Sequence, residues 1–93
     1  MERCWRISGR VQGVGFRYWV LRQAANIGGL SGYAMNTEDG EVWVLASGSA
    51  AALEDLERRL HKGPLWGRVD FVREAPEAIS QMPAIVNGVF KRI

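Results

Sequence analysis

The stretch Gly9-Arg10-Val11-Gln12-Gly13-Val14-Gly15-Phe16-Arg17 decides the fold. Before it, residues 4–8 alternate, with Trp5 and Ile7 on one side, which predicts a half-buried strand. Three glycines within residues 9–15 predict a loop with unusual backbone angles. After the loop, apolar residues recur at helical spacing over residues 16–27, and two glycines follow. The stretch therefore predicts a strand, a glycine loop and a helix in direct succession.

The rest of the chain repeats this alternation of strands and a helix. The predicted elements are strands over residues 30–35 and 41–46, a helix over residues 50–62, a strand over residues 68–73, a loop over residues 75–87 and a short strand over residues 89–93. Asp39-Gly40 is typical of a hairpin turn, and Ser49 is the expected N-cap of the second helix. In the fourth strand we expect Val69 and Phe71 to point inward.

The order β-α-β-β-α-β predicts an α+β fold of two layers, an antiparallel sheet with both helices on one face and a short additional C-terminal strand. Strands one and two then run parallel, with strand three between them. Because strands lie ~4.8 Å apart, the ends of strands one and two are roughly 10 Å apart at one edge. The glycine loop leaves the first of these ends and Asn36 lies at the second. We therefore expect the loop and Asn36 to form one site.

Composition limits the function further. The chain has 93 residues, 47% of them hydrophobic and 24% charged, so we expect one folded domain over residues 1–93. A net charge of +2 suits a small anionic ligand and does not indicate nucleic acid. Cys4 is the only cysteine and His61 the only histidine, which argues against a disulfide and a zinc site. The longest apolar run, residues 42–46, is too short to span a membrane, so we expect a cytoplasmic protein.

The glycine loop has the features of an anion-binding site. Glycines let successive backbone N–H groups point at one spot, and the helix N-terminus adds unpaired donors. Arg17 lies in the first helical turn, where a cation opposes the helix dipole at a cost of roughly 0.3–1 kcal/mol. A bound anion would remove that conflict. Taken alone, the stretch is equally compatible with a tight turn beside an exposed arginine, since it is neither a Walker A loop nor G-x-G-x-x-G.

Two motifs resemble one family across nearly the whole chain. Residues 9–17 closely resemble the signature loop of the acylphosphatases. The sequence Gly32-Tyr33-Ala34-Met35-Asn36, followed by Asp39-Gly40, resembles their second motif, Gly-Trp-Val-Arg-Asn with a downstream glycine. Gly63-Pro64 and Val69 also fall where the family has a Gly-Pro pair and a strand valine.

The resemblance implies a ferredoxin-like fold and the hydrolysis of acyl phosphates to carboxylate and phosphate, without a metal or cofactor. It implies that Arg17 binds the phosphoryl group and that Asn36 orients the attacking water. The remaining residues of the expected phosphate-binding loop are Gln12, Gly13, Val14, Gly15 and Phe16. We expect the partner to be a small acyl phosphate, with inorganic phosphate or sulfate able to occupy the loop. We expect a monomer that binds neither nucleic acid nor a membrane.

The sequence departs from the family pattern at three places. Met35 stands where the family usually has arginine, and Tyr33 replaces the usual tryptophan. The C-terminal residues are Phe90-Lys91-Arg92-Ile93, whereas the family tends to Phe-x-Ile. Two alternatives stay open at this point: a non-catalytic phosphate-binding or regulatory domain of the same fold, and an RNA-binding module with the same element order.

Overall fold

A five-stranded sheet with two α-helices on one face forms the body of the protein. The computed structural model describes residues 1–93. The elements are β1 (Glu2–Arg10), α1 (Phe16–Ile27), β2 (Ser31–Asn36), β3 (Val42–Ser47), α2 (Ala50–Lys62), β4 (Arg68–Glu74), a 3₁₀-helix (Pro76–Gln81) and β5 (Phe90–Arg92). The strand order is β4-β1-β3-β2-β5. The predicted α+β, ferredoxin-like arrangement is confirmed, and no helix is long and apolar enough to cross a membrane.

The direction of the last strand makes the sheet mixed. β1 pairs antiparallel with β3 and β4, and β2 pairs antiparallel with β3, as the element order predicts. β5 instead runs parallel to β2, with Arg92 opposite Ala34. The C-terminal end of β5 therefore reaches the same edge of the sheet as the end of β2.

Alternating strand residues and helical stripes meet in one main core, as predicted. Trp5 and Ile7 of β1 are fully buried against both helices. The helices contribute Phe16, Val20, Leu53, Leu56 and Leu60. The Ser49 hydroxyl accepts a hydrogen bond from the Ala52 amide at 3.1 Å, which confirms the predicted N-cap of α2.

A β-bulge changes the predicted pattern of β4. Pairing steps from Ser8 opposite Phe71 to Gly9 opposite Val69, so β4 carries one extra residue there. As a result Val69 and Val72 both pack on the core, whereas Phe71, which we expected inside, is 53% exposed. The bulge also keeps Gly9 within β1 rather than in the loop. A Cβ on Gly9 would lie 2.2 Å from the Arg68 carbonyl oxygen, so only glycine fits.

The segment expected to be a plain loop covers part of the second face of the sheet. It contains the 3₁₀-helix and packs over Cys4, Tyr33 and Leu45, which are buried together. The Tyr33 hydroxyl donates to the Pro83 carbonyl at 2.7 Å. Burial raises the pKa of the Cys4 thiol to about 11, which fits a packing role for this cysteine.

A charged network ties α2 to the sheet. Glu57 of α2 accepts hydrogen bonds from the indole N–H of buried Trp5 at 3.0 Å and from the Arg3 guanidinium at 2.9 Å. Arg3 also donates to Glu74 of β4 at 2.7 and 2.9 Å. This hydrogen bonding lowers the pKa of the Glu74 carboxyl. The Glu57 carboxylate therefore accepts a hydrogen bond from the Trp5 indole N–H, which burial would otherwise leave without a partner.

Removing that carboxylate is expected to destabilise the fold. Glu57→Ala leaves the buried Trp5 N–H without a partner, and we expect the free energy of unfolding to fall by about 1–3 kcal/mol. Urea denaturation followed by tryptophan fluorescence measures this. Glu54→Ala, an exposed position on the same helix, is the matched control and should change stability by less than about 0.5 kcal/mol. Equal effects of the two substitutions would contradict the role of Glu57.

Candidate active site

Three strand ends meet at one edge of the sheet. Val42 of β3 lies opposite both Ile7 of β1 and Asn36 of β2, so Asn36 and the end of β1 lie on the same side. A cavity of about 100 Å³ opens there. Its lining residues are Val11, Gly13, Gly15, Phe16, Arg17, Tyr18, Asn36 and Arg92. The structure thus brings together the glycine loop, Arg17 and Asn36, as the sequence predicts.

Two glycines of the loop line this cavity. Gly13 and Gly15 have φ angles of 72° and 78°, in the left-handed region that residues with side chains rarely adopt. Gly15 caps α1, and no side chain accepts hydrogen bonds from the first helical turn. The first amides of a helix have no intrahelical partners, so these N–H groups remain free for an anion.

Gln12 connects the loop to the neighbouring hairpin. Its side-chain nitrogen donates to the Thr37 carbonyl at 2.7 Å and to the Glu41 carbonyl at 2.8 Å. Gln12 and Val14 do not line the cavity, although the sequence placed both in the phosphate-binding loop. Val14 packs against the main core instead. The Gln12 amide thereby fixes the loop relative to the strand end that carries Asn36.

The turn after Asn36 is itself held by several hydrogen bonds. The Thr37 amide donates to the Glu41 carbonyl at 2.9 Å, and the Glu41 amide donates to the Thr37 hydroxyl at 3.1 Å. The Thr37 hydroxyl also bonds the Asp39 carboxylate and lowers the pKa of that group. The Glu41 carboxylate accepts from Arg6 and from the Trp43 indole. These bonds connect the turn after Asn36 to the start of β3 and to β1.

Arg17 and Asn36 both have donors or acceptors to spare. Arg17 uses one nitrogen to donate to the Ile93 carbonyl at 2.9 Å. A guanidinium has five N–H donors, so several remain for an anion. The Asn36 side chain is exposed, and its amide group forms no hydrogen bond within the protein. Because Ile93 bonds in turn to the Ala34 carbonyl at 3.0 Å, the C-terminal segment connects Arg17 to β2.

Arg92 also lines the cavity, although no pattern in the sequence indicates it. Arg92 reaches the cavity because β5 runs parallel to β2, a long-range pairing with no local sequence signal. It adds a second cation to a cavity whose lining contains no carboxylate. Met35, which replaces the family's usual arginine, packs against the cluster on the opposite face of the sheet. Packing there explains how this position accommodates an apolar side chain.

No group of three or more histidine, cysteine, aspartate or glutamate side chains is arranged to hold a metal ion. Charge in the cavity therefore comes from Arg17 and Arg92.

Comparisons with known proteins agree with the fold of this chain. The family model described as acylphosphatase matches residues 4–82. Acylphosphatases of Nitrobacter winogradskyi and Nitrobacter hamburgensis are 42% and 47% identical over 82 residues, which cover 88% of this chain and 82% of each relative. The crystal structure of acylphosphatase from Bacillus subtilis superposes with a TM-score of 0.77 at 30% identity, covering 99% of this chain and 97% of that one.

The two alternatives are not favoured. Curated relatives of this identity are named as enzymes, which argues against a non-catalytic domain. An RNA-recognition domain stacks bases on exposed aromatic residues of its sheet. Here Trp43 is the only aromatic residue of β3, and the Arg6 guanidinium lies over its ring at 5.0 Å.

Loss of the Gln12 side chain is expected to weaken the join between loop and hairpin. Gln12→Ala removes the donor from two carbonyl groups, and we expect the free energy of unfolding to fall by about 1–2 kcal/mol. Thermal and urea denaturation measure it. The control is Gln81→Ala, an exposed glutamine at the end of the 3₁₀-helix. A Gln12 variant as stable as the control would show that the two hydrogen bonds do not hold the loop.

Proposed function

The chain belongs to the acylphosphatase family and hydrolyses acyl phosphates, and from that premise we propose that Arg17 binds the phosphoryl group while Asn36 positions the attacking water. The observation that carries this proposal is the shared cavity of about 100 Å³, lined by the glycine loop, Arg17 and Asn36. Both side chains keep unused hydrogen-bonding groups that face no carboxylate.

Phosphate binding would use three kinds of donor. The free amides at the start of α1 and in the glycine loop surround one side of the phosphoryl group. The Arg17 guanidinium donates two parallel hydrogen bonds to its oxygens. Arg92 supplies a further positive charge from β5. Together these groups neutralise the substrate and hold its phosphorus at a fixed distance from Asn36.

The reaction then needs little acid or base assistance. The side-chain carbonyl oxygen of Asn36 accepts a hydrogen bond from a water molecule. This bond orients a lone pair of the water oxygen toward phosphorus. The water oxygen forms a bond to phosphorus while the bond from phosphorus to the acyl oxygen breaks. The carboxylate leaves with the electron pair, and the proton of the water passes to a phosphate oxygen. Because the carboxylate is a weak base and the transition state is loose, positioning and charge supply most of the catalysis.

We further propose that the reaction requires no metal and that inorganic phosphate or sulfate binds in the same loop. Arg17 and the loop amides supply the positive potential that a metal ion would otherwise provide. Inorganic phosphate, being the product, should then inhibit competitively with the acyl phosphate.

We also propose that residues 1–93 form one domain that is monomeric and cytoplasmic. Both helices and three strands supply buried residues to one core, and the other two strands pack against it, which supports a single domain. The exposed edge strand β4 carries Arg68, Asp70, Arg73 and Glu74, and such charges discourage edge-to-edge pairing. Cys4 is a free buried thiol, as expected of a protein from a reducing compartment. Sedimentation equilibrium should give the mass of one chain, and a concentration-dependent dimer would contradict the proposed monomer.

Substitution of the two proposed catalytic residues tests the mechanism. We expect Arg17→Ala to raise KM and lower kcat for benzoyl phosphate, and Asn36→Ala to lower kcat by about 10²–10³-fold. Inhibition by phosphate should weaken in the first variant and persist in the second, because Arg17 contacts the phosphoryl group whereas Asn36 contacts the water. All assays contain EDTA.

The matched controls are Arg10→Ala and Asn87→Ala, exposed residues of the same types that do not line the cavity. Both should retain the wild-type rate. Full activity of Asn36→Ala would exclude the water-positioning role, and loss of activity in EDTA would exclude metal-free hydrolysis.

A further inference from the structure

A second and larger cavity lies beside the proposed active site. This groove has a volume of about 520 Å³ and runs between the two helices and the segment that joins α2 to β4. Its walls include Trp19, Gln23, Lys62, Pro64, Leu65 and Trp66. We propose that the groove binds the acyl group of the substrate and selects flat apolar acyl groups, above all those with a distal negative charge. This inference rests on the function proposed above.

The groove and the phosphate-binding loop share a wall. A Cβ atom placed on Gly15 would lie 3.9 Å from the indole nitrogen of Trp66. Trp19 packs its ring on Phe16, with ring centroids 5.4 Å apart. Gly15 and Phe16 also line the smaller cavity. A molecule bound at the loop therefore needs to extend only a few ångströms to contact Trp66, and Trp19 lines the same groove.

The direction of the reaction points toward this groove. In phosphoryl transfer the attacking and leaving oxygens lie on opposite sides of phosphorus. Water held by Asn36 approaches from the β2 side of the sheet. Across the sheet the order is β2, β3, β1 and β4, so the side opposite Asn36 is that of β4. Trp66 lies just before β4, where the departing acyl group would be.

The side chains of the groove define the acyl group that it fits. Trp66 is 59% exposed and Leu65 is 99% exposed, so both offer apolar surface to a ligand. The Trp5 and Trp43 indoles donate to carboxylates, whereas Trp66 donates to no protein atom. Flat apolar groups pack favourably on such rings.

The cations of the groove differ in their availability. Arg59 is already paired with Asp55 and bonds Gln23 and Asn26. Lys62 forms no ion pair, and no carboxylate lines the groove. The Lys62 ammonium group is therefore available to pair with a negative charge at the far end of the acyl group.

The test compares two substrates that differ only in the acyl group. Acetyl phosphate carries a methyl group too short to cover an indole, and benzoyl phosphate carries a ring. We expect Trp66→Ala to lower the ratio of kcat/KM for benzoyl over acetyl phosphate about tenfold, the factor that 1.4 kcal/mol of binding free energy provides. Trp66→Phe keeps an aromatic face and should restore most of the ratio. Phe71→Ala, at an exposed aromatic residue of β4 outside the groove, should leave the ratio unchanged.

A third substrate examines the charge preference. For benzoyl phosphate with a carboxylate in the para position, Lys62→Ala should lower kcat/KM about fivefold relative to benzoyl phosphate, since a charge pair in water is worth roughly 1 kcal/mol at 4 Å. Arg58→Ala, at an exposed cation of α2 outside the groove, is the control.

The outcomes separate the two proposals. Arg17→Ala lowers the rates for all substrates together, so an unaffected Arg17 variant would overturn the proposed function. An unchanged benzoyl-to-acetyl ratio in Trp66→Ala, with Arg17 still essential, would overturn the acyl-binding groove alone. An equal effect of Lys62→Ala on both aromatic substrates would overturn the preference for a distal charge.

Discussion

Two backbone carbonyls of the β2–β3 hairpin accept hydrogen bonds from the Gln12 side chain, and the spacing between the glycine loop and Asn36 depends on that pair of bonds. The loop follows β1 and Asn36 ends β2, with β3 between them. Sheet pairing fixes the two strand ends, but the loop beyond β1 has no strand partner. Gln12 supplies that missing connection. The other bonds of the hairpin, from Thr37 and Glu41, make its carbonyls a firm attachment point.

This constraint suits a reaction that relies on positioning. A loose phosphoryl transition state with a good leaving group gains little from a general base, and much from a fixed distance between water and phosphorus. Strand pairing with Val42 fixes the backbone of Asn36 beside the loop. In the proposed mechanism Asn36 and Trp66 lie on opposite sides of the phosphoryl group. Catalysis and acyl selection then use different parts of one sheet edge.

The sequence predicted both helices, because their signals are local. Residues 16–27 and Ala50–Lys62 have helical spacing with glycine or serine at their ends, and both helices have these bounds. The proximity of the loop to Asn36 follows from strand order alone. Phe71 was placed wrongly because a bulge opposite Gly9 shifts the alternation of β4, and no local pattern reveals it. The position of Arg92 depends on the parallel pairing of β5 with β2, which joins residues distant in sequence. The packing of the segment after β4 over Tyr33 likewise depends on a long-range contact, the hydrogen bond from Tyr33 to Pro83.

The central claim is that the glycine loop, Arg17 and Asn36 form a single phosphate-binding site. A titration of ¹⁵N-labelled protein with inorganic phosphate, followed by amide chemical shifts, tests it most directly. The account predicts that the largest saturable shifts fall on the backbone amides of Gly13, Gly15, Phe16 and Arg17, with the Asn36 side-chain amide following at the same dissociation constant. Largest shifts around Lys62 and Trp66 with an unperturbed loop, or different dissociation constants for the loop and Asn36, would contradict it.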